Sequence, residues 1–198
     1  MAGKSLIIGV FALQGDVREH ETVLTELGVT ARRVRTKEDL PGLDGLVIPG
    51  GESSVMDKLA RIFGLRDPLR EAIRAGLPVL GTCAGLIMLA DSLIGSIEGQ
   101  ETLGGLDVVV ERNAFGGQVE SFETELAIPL VSDTPLRVAF IRAPIIRSVG
   151  EAEVIASLPN GDVVGVRQDK IVGVSFHPEV VGETRLHEWW LNNVVAGD

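Results

Sequence analysis

The chain has 198 residues, 45% hydrophobic and 23% charged, the balance of a globular protein with one substantial core and not of a disordered or fibrous chain. Its formal net charge of -10, with the basic residues dispersed, excludes the basic face that binding a phosphate backbone requires, so no nucleic-acid partner is expected. Cys83 is the only cysteine, and the three histidines, His20, His177 and His187, lie far apart, so neither a disulfide nor a structural metal site is expected and a reducing, cytoplasmic setting fits.

Lys4 runs straight into the short segment 5–13, which lacks the longer apolar stretch and small-residue cleavage site of an export signal. No apolar run reaches the length of a bilayer span, so the chain is expected to be neither exported nor embedded in a membrane. Residues 6–13 are nearly continuously apolar, as in a central parallel strand covered on both faces. Gln14-Gly15-Asp16 ends that run, and residues 17–27, with Val23, Leu24 and Leu27 among charges and Gly28 as the stop, predict an amphipathic helix. Strands at 30–35 and 45–48, helices at 53–63 and 67–75, a strand at 78–82 and a helix at 84–93 continue the alternation. Such a βαβα pattern implies a mostly parallel sheet with right-handed crossovers and helices on both faces, in which ligands gather at the strands' C-terminal ends.

From Leu106 the texture becomes β-rich, with strands predicted at 107–111, 121–128, 137–141, 154–158, 163–167 and 171–176. Turns are marked by Gly116-Gly117, Pro159-Asn160-Gly161 and Asp169-Lys170. These strands add a mixed or antiparallel part. Residues 184–195 close the chain as a helix with Leu186, Trp189, Trp190 and Val194 facing inward. The Trp189-Trp190 pair reads as core plus rim, and His20 and His187, set among charges in helices, read as surface or capping residues. Nothing marks a linker or a repeat, so residues 1–198 are expected to form a single α/β domain.

Chemistry concentrates in three loops. Gly81-Thr82-Cys83-Ala84-Gly85, between an apolar strand and an apolar helix, has the form of a nucleophile elbow with cysteine in place of serine. The glycines leave room for a strained central residue, and the helix N-terminus favours a thiolate. A lone cysteine is otherwise a buried small hydrophobe, so the elbow needs a base. Phe176-His177-Pro178-Glu179, after the last apolar strand, supplies one: His177 would take and return the proton, and Glu179 would hold its tautomer. Alternation in extended chain puts residues i and i+2 on one side, with Pro178 stiffening the link. Pro49-Gly50-Gly51-Glu52-Ser53-Ser54, after the strand ending at Ile48, can offer backbone N–H groups to an oxyanion. Alone it is also an ordinary loop with Ser53 capping a helix, and it lacks the lysine of a phosphate-binding loop.

Together these elements resemble the class I, or triad, glutamine amidotransferases. Within that group, Ala12-Leu13-Gln14-Gly15-Asp16, Arg112-Asn113-Ala114-Phe115-Gly116, Ser121-Phe122-Glu123 and Phe140-Ile141-Arg142-Ala143-Pro144 resemble the glutaminase subunits of pyridoxal 5′-phosphate synthases. The resemblance runs from Ala12 to Glu179 and implies a three-layer, flavodoxin-like fold. It further implies hydrolysis of L-glutamine by Cys83, His177 and Glu179 through a glutamyl thioester, with the oxyanion on the N–H groups of Gly51 and Ala84. Glutamine would be held by Gly51, Glu52, Ser53, Arg112, Ile141 and Arg142. The resemblance implies no metal or organic cofactor, and as partner a barrel-fold synthase subunit, in a large hetero-oligomer, that receives the ammonia. One position departs from the family's pattern: Gly117 stands where many members carry arginine. The alternatives are a glutaminase subunit serving another nitrogen-requiring pathway, a cysteine hydrolase or stress protein on a similar sheet, and a non-catalytic module that binds glutamine as a signal.

Overall fold

A computed structural model describes residues 5–112 and 121–197. The first half alternates as its apolar periodicity demands: β1 (Ile7–Phe11), α1 (Val17–Glu26), β2 (Thr30–Val34), β3 (Gly45–Ile48), α2 (Ser53–Ile62), α3 (Arg66–Arg74), β4 (Val79–Thr82) and α4 (Ala84–Leu89). The second half is built mainly of strands: β5 (Ala90–Ile94), β6 (Leu106–Glu111), β7 (Phe122–Leu126), β8 (Leu136–Phe140), β9 (Ile145–Val149), β10 (Glu153–Ser157), β11 (Val163–Gln168) and β12 (Ile171–Val174). It closes with α5 (Arg185–Trp190), which runs on as a π-helical turn, Leu191–Val195.

One sheet runs in the order β2-β1-β3-β4-β12-β11-β9-β6-β5, with β10 paired to β11. From β2 to β12 every pairing is parallel. From β12 to β11, β11 to β9 and β9 to β6 the pairings are antiparallel, and β5 returns parallel to β6. Strand β12 therefore sits at the seam, a late strand inserted beside β4. The seam brings the end of the chain next to its middle.

The layers follow from the two-residue period of each strand. In β3, Leu46 and Ile48 enter a core with Met56 and Ala60 of α2, Leu69 and Ile73 of α3 and most of α4. Val47, between them, enters the opposite core with Leu24 of α1, and Leu186, Trp189 and Trp190 of α5. Both faces are thus covered, which is why the central strands read as continuous apolar runs. The hairpin β7–β8 pairs separately from Phe122↔Phe140 to Leu126↔Leu136 and caps the second core through Leu126, Leu136, Val138 and Phe140. Gly45 marks where the closing helix comes nearest the sheet, since a Cβ there would lie 2.9 Å from the Trp190 ring.

Two expectations change. The helix expected over 84–93 ends at Leu89, because Ala90 turns extended at ψ 143° and the next residues pair along β6, from Ala90↔Leu106 to Ile94↔Glu111. Sheet pairing overrides local helical preference there. Strand β9, absent from the sequence reading, forms because its Ile145 and Ile146 are buried between β6 and β11. The turn expected at Gly116-Gly117, and with it the segment Asn113–Gly116 and the departure at Gly117, lie outside the described residues.

Candidate active site

Strand β4 feeds α4 through Cys83, whose backbone stands at φ 48°, ψ -101°, a conformation that costs a non-glycine residue on the order of 1–3 kcal/mol and persists only where its surroundings impose it. They do so here. A Cβ at Gly81 would come within 2.7 Å of the Gly85 carbonyl carbon, and one at Gly85 would run into the Ile48 carbonyl of β3. The Cys83 N–H donates to Val174 O at 2.8 Å, tying the elbow to β12. Its Sγ points at Ile141 O, 3.9 Å away, and the residue is 6% exposed.

His177 follows β12 by three residues, and β12 is in parallel register with β4 at Val174↔Thr82, so the imidazole emerges beside the elbow. Its backbone is gripped from the hairpin: His177 N–H donates to Ala139 O at 2.8 Å and Ala139 N–H returns to His177 O at 3.2 Å. The ring's Nδ1 lies 2.8 Å from Glu179 Oε1, and the ring is close enough to Cys83 for the sulfur to act on its charge. With Nδ1 taken by Glu179, Nε2 is the nitrogen left for the sulfur. The link between the two residues differs from the extended one expected. Pro178 is helical at φ -69°, ψ -35° and Glu179 opens a 3₁₀ turn, Glu179–Val181, which folds the carboxylate back under the ring.

Electrostatics follow this geometry. Burial alone would push the His177 pKa down, but the proximity of Cys83, the hydrogen bond to Glu179 and the charges of both outweigh it and raise the value to about 10. Burial pushes Glu179 up, yet His20, the His177 hydrogen bond and His187 carry it down to about 2. The His177 ring is therefore held as an imidazolium beside the Cys83 sulfur and the ionised Glu179 carboxylate. Asp16, in the loop after β1, sets Oδ2 3.4 Å from His177 Nδ1; half-burial raises its pKa against the pull of His177. Asp16, His177 and Glu179 bring ligand-type atoms within 4.8 Å of one another. The nitrogen that would ligate a cation is already committed to Glu179, so the arrangement is a hydrogen-bonded His177–Glu179 pair with the Asp16 carboxylate nearby.

The remaining expected positions converge on one cleft, lined by Gly51, Glu52, Ser53, Cys83, Ile87, Arg112, Ile141 and Arg142. Ala84 lies outside that lining: it is the fully buried first residue of α4, next to Cys83. Arg112 is bound on two sides, Nη2 donating to Glu52 Oε1 and Nη1 to Gln100 Oε1, each at 2.7 Å. Gln100 Nε2 in turn donates to Ser53 Oγ at 3.1 Å. Arg142 stands at φ 44°, a strained value for its residue type, is exposed, and has no ion-pair partner among the described residues. Gln14 Oε1 accepts the Glu52 N–H at 2.8 Å and lies against Gly51. Gly50 sits where a side chain would collide with the His177 ring and come within 2.8 Å of Asp16 Oδ2.

Sequence reading left out Asp16, Gln14, Ile87 and Gln100 as site residues. The signal for the first two was topological, since the loop after β1 lies at the same C-terminal edge as those after β3, β4 and β12. His20 and His187 overturn their expected place at the surface: both are 0% exposed. His20 shares the inward stripe of α1 with Val23 and Leu24, and His187 that of α5 with Trp190 and Val194. A helical spacing of three, four and seven could have found them.

The class this fold defines is that of the class I glutamine amidotransferases. A crystal structure of a glutamine amidotransferase matches at TM-score 0.88 and 48% identity, over 96% of this chain and 99% of that one. Another glutamine amidotransferase, from Thermotoga maritima, shares the fold at TM-score 0.63 with 18% identity, over 95% of this chain and 81% of its own. Residues 10–196 match the family model of the SNO glutamine amidotransferases, and the chain belongs to that family. Its relatives include the pyridoxal 5′-phosphate synthase subunit PdxT of Leifsonia xyli subsp. xyli, 60% identical over 195 residues that make up 98% of each chain. The subunit of the same name from Streptomyces avermitilis is 52% identical over 96% of this chain and 94% of that one.

Proposed function

We propose that this chain is the glutaminase subunit of a pyridoxal 5′-phosphate synthase, hydrolysing L-glutamine to L-glutamate and ammonia with Cys83, His177 and Glu179. The observation that carries the reading is the convergence at one sheet edge of a strained Cys83, a buried His177 and a buried Glu179 whose Oε1 lies 2.8 Å from the His177 ring. Relatives that cover nearly the whole chain and are named as subunits of that synthase support the pathway.

In the proposed reaction Cys83 Sγ attacks the side-chain amide carbon of glutamine, and the carbonyl oxygen becomes an anion facing the N–H groups of Gly51 and Ala84. The His177 proton passes to the amide nitrogen, the C–N bond breaks, ammonia leaves, and a glutamyl thioester remains on Cys83. Neutral His177 then takes a proton from water as the hydroxide adds to the thioester. The C–S bond breaks, the sulfur departs as thiolate, and glutamate is released with His177 again an imidazolium. Glu179 keeps the ring in place through both steps without taking a proton itself. The exposed Arg142 guanidinium suits the substrate's α-carboxylate, and Glu52 suits its α-ammonium once it is released from Arg112. Ile141 and Ser53 complete the walls, and the chemistry calls on no metal or organic cofactor in this chain.

Ammonia protonates in neutral water and loses its nucleophilicity, so the reading includes its passage through protein to a barrel-fold synthase subunit in a large hetero-oligomer. A cysteine nucleophile that must stay reduced suits a reducing compartment, the cytoplasm. The Gly50-Gly51 loop, held by Gln14, is expected to reach its working geometry only when the synthase docks. Ammonia release from glutamine, measured with and without the synthase subunit, tests this. The complex is expected to turn over at least about tenfold faster than the isolated chain, and Cys83→Ala to abolish the reaction, leaving at most about a thousandth of the rate. Equal rates for native and Cys83→Ala complexes would defeat the reading.

A further inference from the structure

Two buried imidazoles have no part in the chemistry above. His20, on α1, places Nε2 3.5 Å from Glu179 Oε1 and 3.1 Å from the hydroxyl of Thr82, the residue before Cys83. Its Nδ1 lies 2.9 Å from His187 Nε2 on α5. We propose that His187 and His20 form a directional hydrogen-bond relay ending in an N–H donated to Glu179, which makes His20 a positioning residue for the triad. The proposal rests on the reading of Cys83, His177 and Glu179 as the glutaminase machinery.

Direction follows from counting donors. A neutral imidazole carries one N–H and one lone pair, and burial keeps both rings neutral. His187 is driven down to about 3 by burial, then by the proximity of His20, against the opposing pull of Glu179. His20 is lowered by burial, with Glu179 opposing. His187 Nδ1 has no partner among the described residues. A bare buried N–H is rarer than a bare acceptor, so the His187 proton belongs on Nε2, donated to His20 Nδ1. The His20 proton is then on Nε2, shared between Thr82 Oγ1 at 3.1 Å and the Glu179 carboxylate at 3.5 Å. The opposite direction would strand an N–H at His187 and turn a lone pair of His20 toward the Glu179 anion.

Glu179 Oε1 then faces two N–H groups, from His177 at 2.8 Å and from His20 at 3.5 Å, while Oε2 has no hydrogen-bond partner among the described residues. The two donors fix the carboxylate's rotation and keep it ionised, so that it orients His177 without taking its proton. The charged and titratable groups around this unit are His177 with Cys83 from the strand ends, Asp16 and Glu19 at the start of α1, and His187 from α5. The relay also joins the strand that carries the nucleophile to the turn that carries the carboxylate, through Thr82.

The test compares glutamine hydrolysis across pH by the synthase complex carrying wild-type chain, His20→Leu or His20→Gln, and reads the histidine tautomers of the wild-type chain by ¹⁵N NMR at neutral pH. Leucine removes the donor, whereas glutamine can return an N–H near the same place. His20→Leu is expected to lower kcat by about tenfold to a hundredfold, the range of one hydrogen bond to a charged group, with KM within about twofold. Its acidic limb should move to higher pH, because a carboxylate that loses a donor protonates more readily. His20→Gln should recover most of kcat and return the limb toward its wild-type position. Both histidines should appear neutral with the proton on Nε2. The relay is overturned if either ring carries its proton on Nδ1, or if His20→Leu keeps kcat and the acidic limb. Should His20→Leu fail to fold, the tautomers and His20→Gln still decide, an unrescued glutamine variant counting against the relay. A wild-type complex that releases no ammonia would instead sink the functional reading, and the tautomers would judge the relay alone.

Discussion

His177 shows how far a buried ion pair can move a side chain from its ordinary behaviour, and the shift predicts how the protein responds to pH. Its pKa is raised to about 10, so its contribution to stability is fully present below the unfolded value of about 6.5 and is lost as pH rises toward 10. Glu179, lowered to about 2, contributes stability above about 4.5 that disappears as pH falls through 2. His187, lowered to about 3, and His20, lowered as well, are neutral in the fold but charged once unfolded, so acid below about 6.5 also favours unfolding. The three effects place maximal stability near pH 6.5. Thermal denaturation followed from pH 4 to pH 10 should show Tm falling on both sides, and a Tm that keeps rising from pH 6.5 to 9 would contradict the pairing at His177. At this scale residue type and strand-end position in the sequence point to Cys83, His177 and Glu179, the three side chains proposed above to do the chemistry. The burial of His20 and His187 was hidden, because charged neighbours such as Glu19 and Glu21 mask the stripe on which His20 lies.

At the scale of elements, the glycines of the loops explain why the strand ends can approach one another. Gly50 has no side chain because the His177 ring and Asp16 fill that space, and its backbone is not in the left-handed region. Gly50→Ala should therefore act by pushing the ring away from Cys83 more than by straining the chain. Glutamine hydrolysis by the complex is expected to fall by about a hundredfold or more, as misplaced reacting groups do, while Tm drops by only a few degrees. Wild-type kcat in that variant would show that the loop yields and the ring does not depend on it. The parallel strands were legible from continuous apolar runs, and β3 was found at its observed limits, Gly45–Ile48. Strands β5 and β9 were not, since their conformation is set by pairing with β6, a partner remote in sequence. The hairpin's role was equally hidden: Ala139, an unremarkable residue in β8, holds His177 through two backbone hydrogen bonds.

For the molecule as a whole, the insertion of β12 beside β4 is what turns a cysteine and a histidine 94 positions apart (177 minus 83) into neighbours. The same edge gathers the loops after β1 and β3 and, from the second half, Arg112, Ile141 and Arg142. In that cleft Arg112 is held by Glu52 and Gln100. The most direct measurement is peptide mass spectrometry on the synthase complex quenched with acid during turnover of glutamine. The account predicts a glutamyl adduct on the peptide containing Cys83 that is absent without glutamine. Full-speed ammonia release with no adduct on Cys83, and with the adduct on another residue, would contradict it.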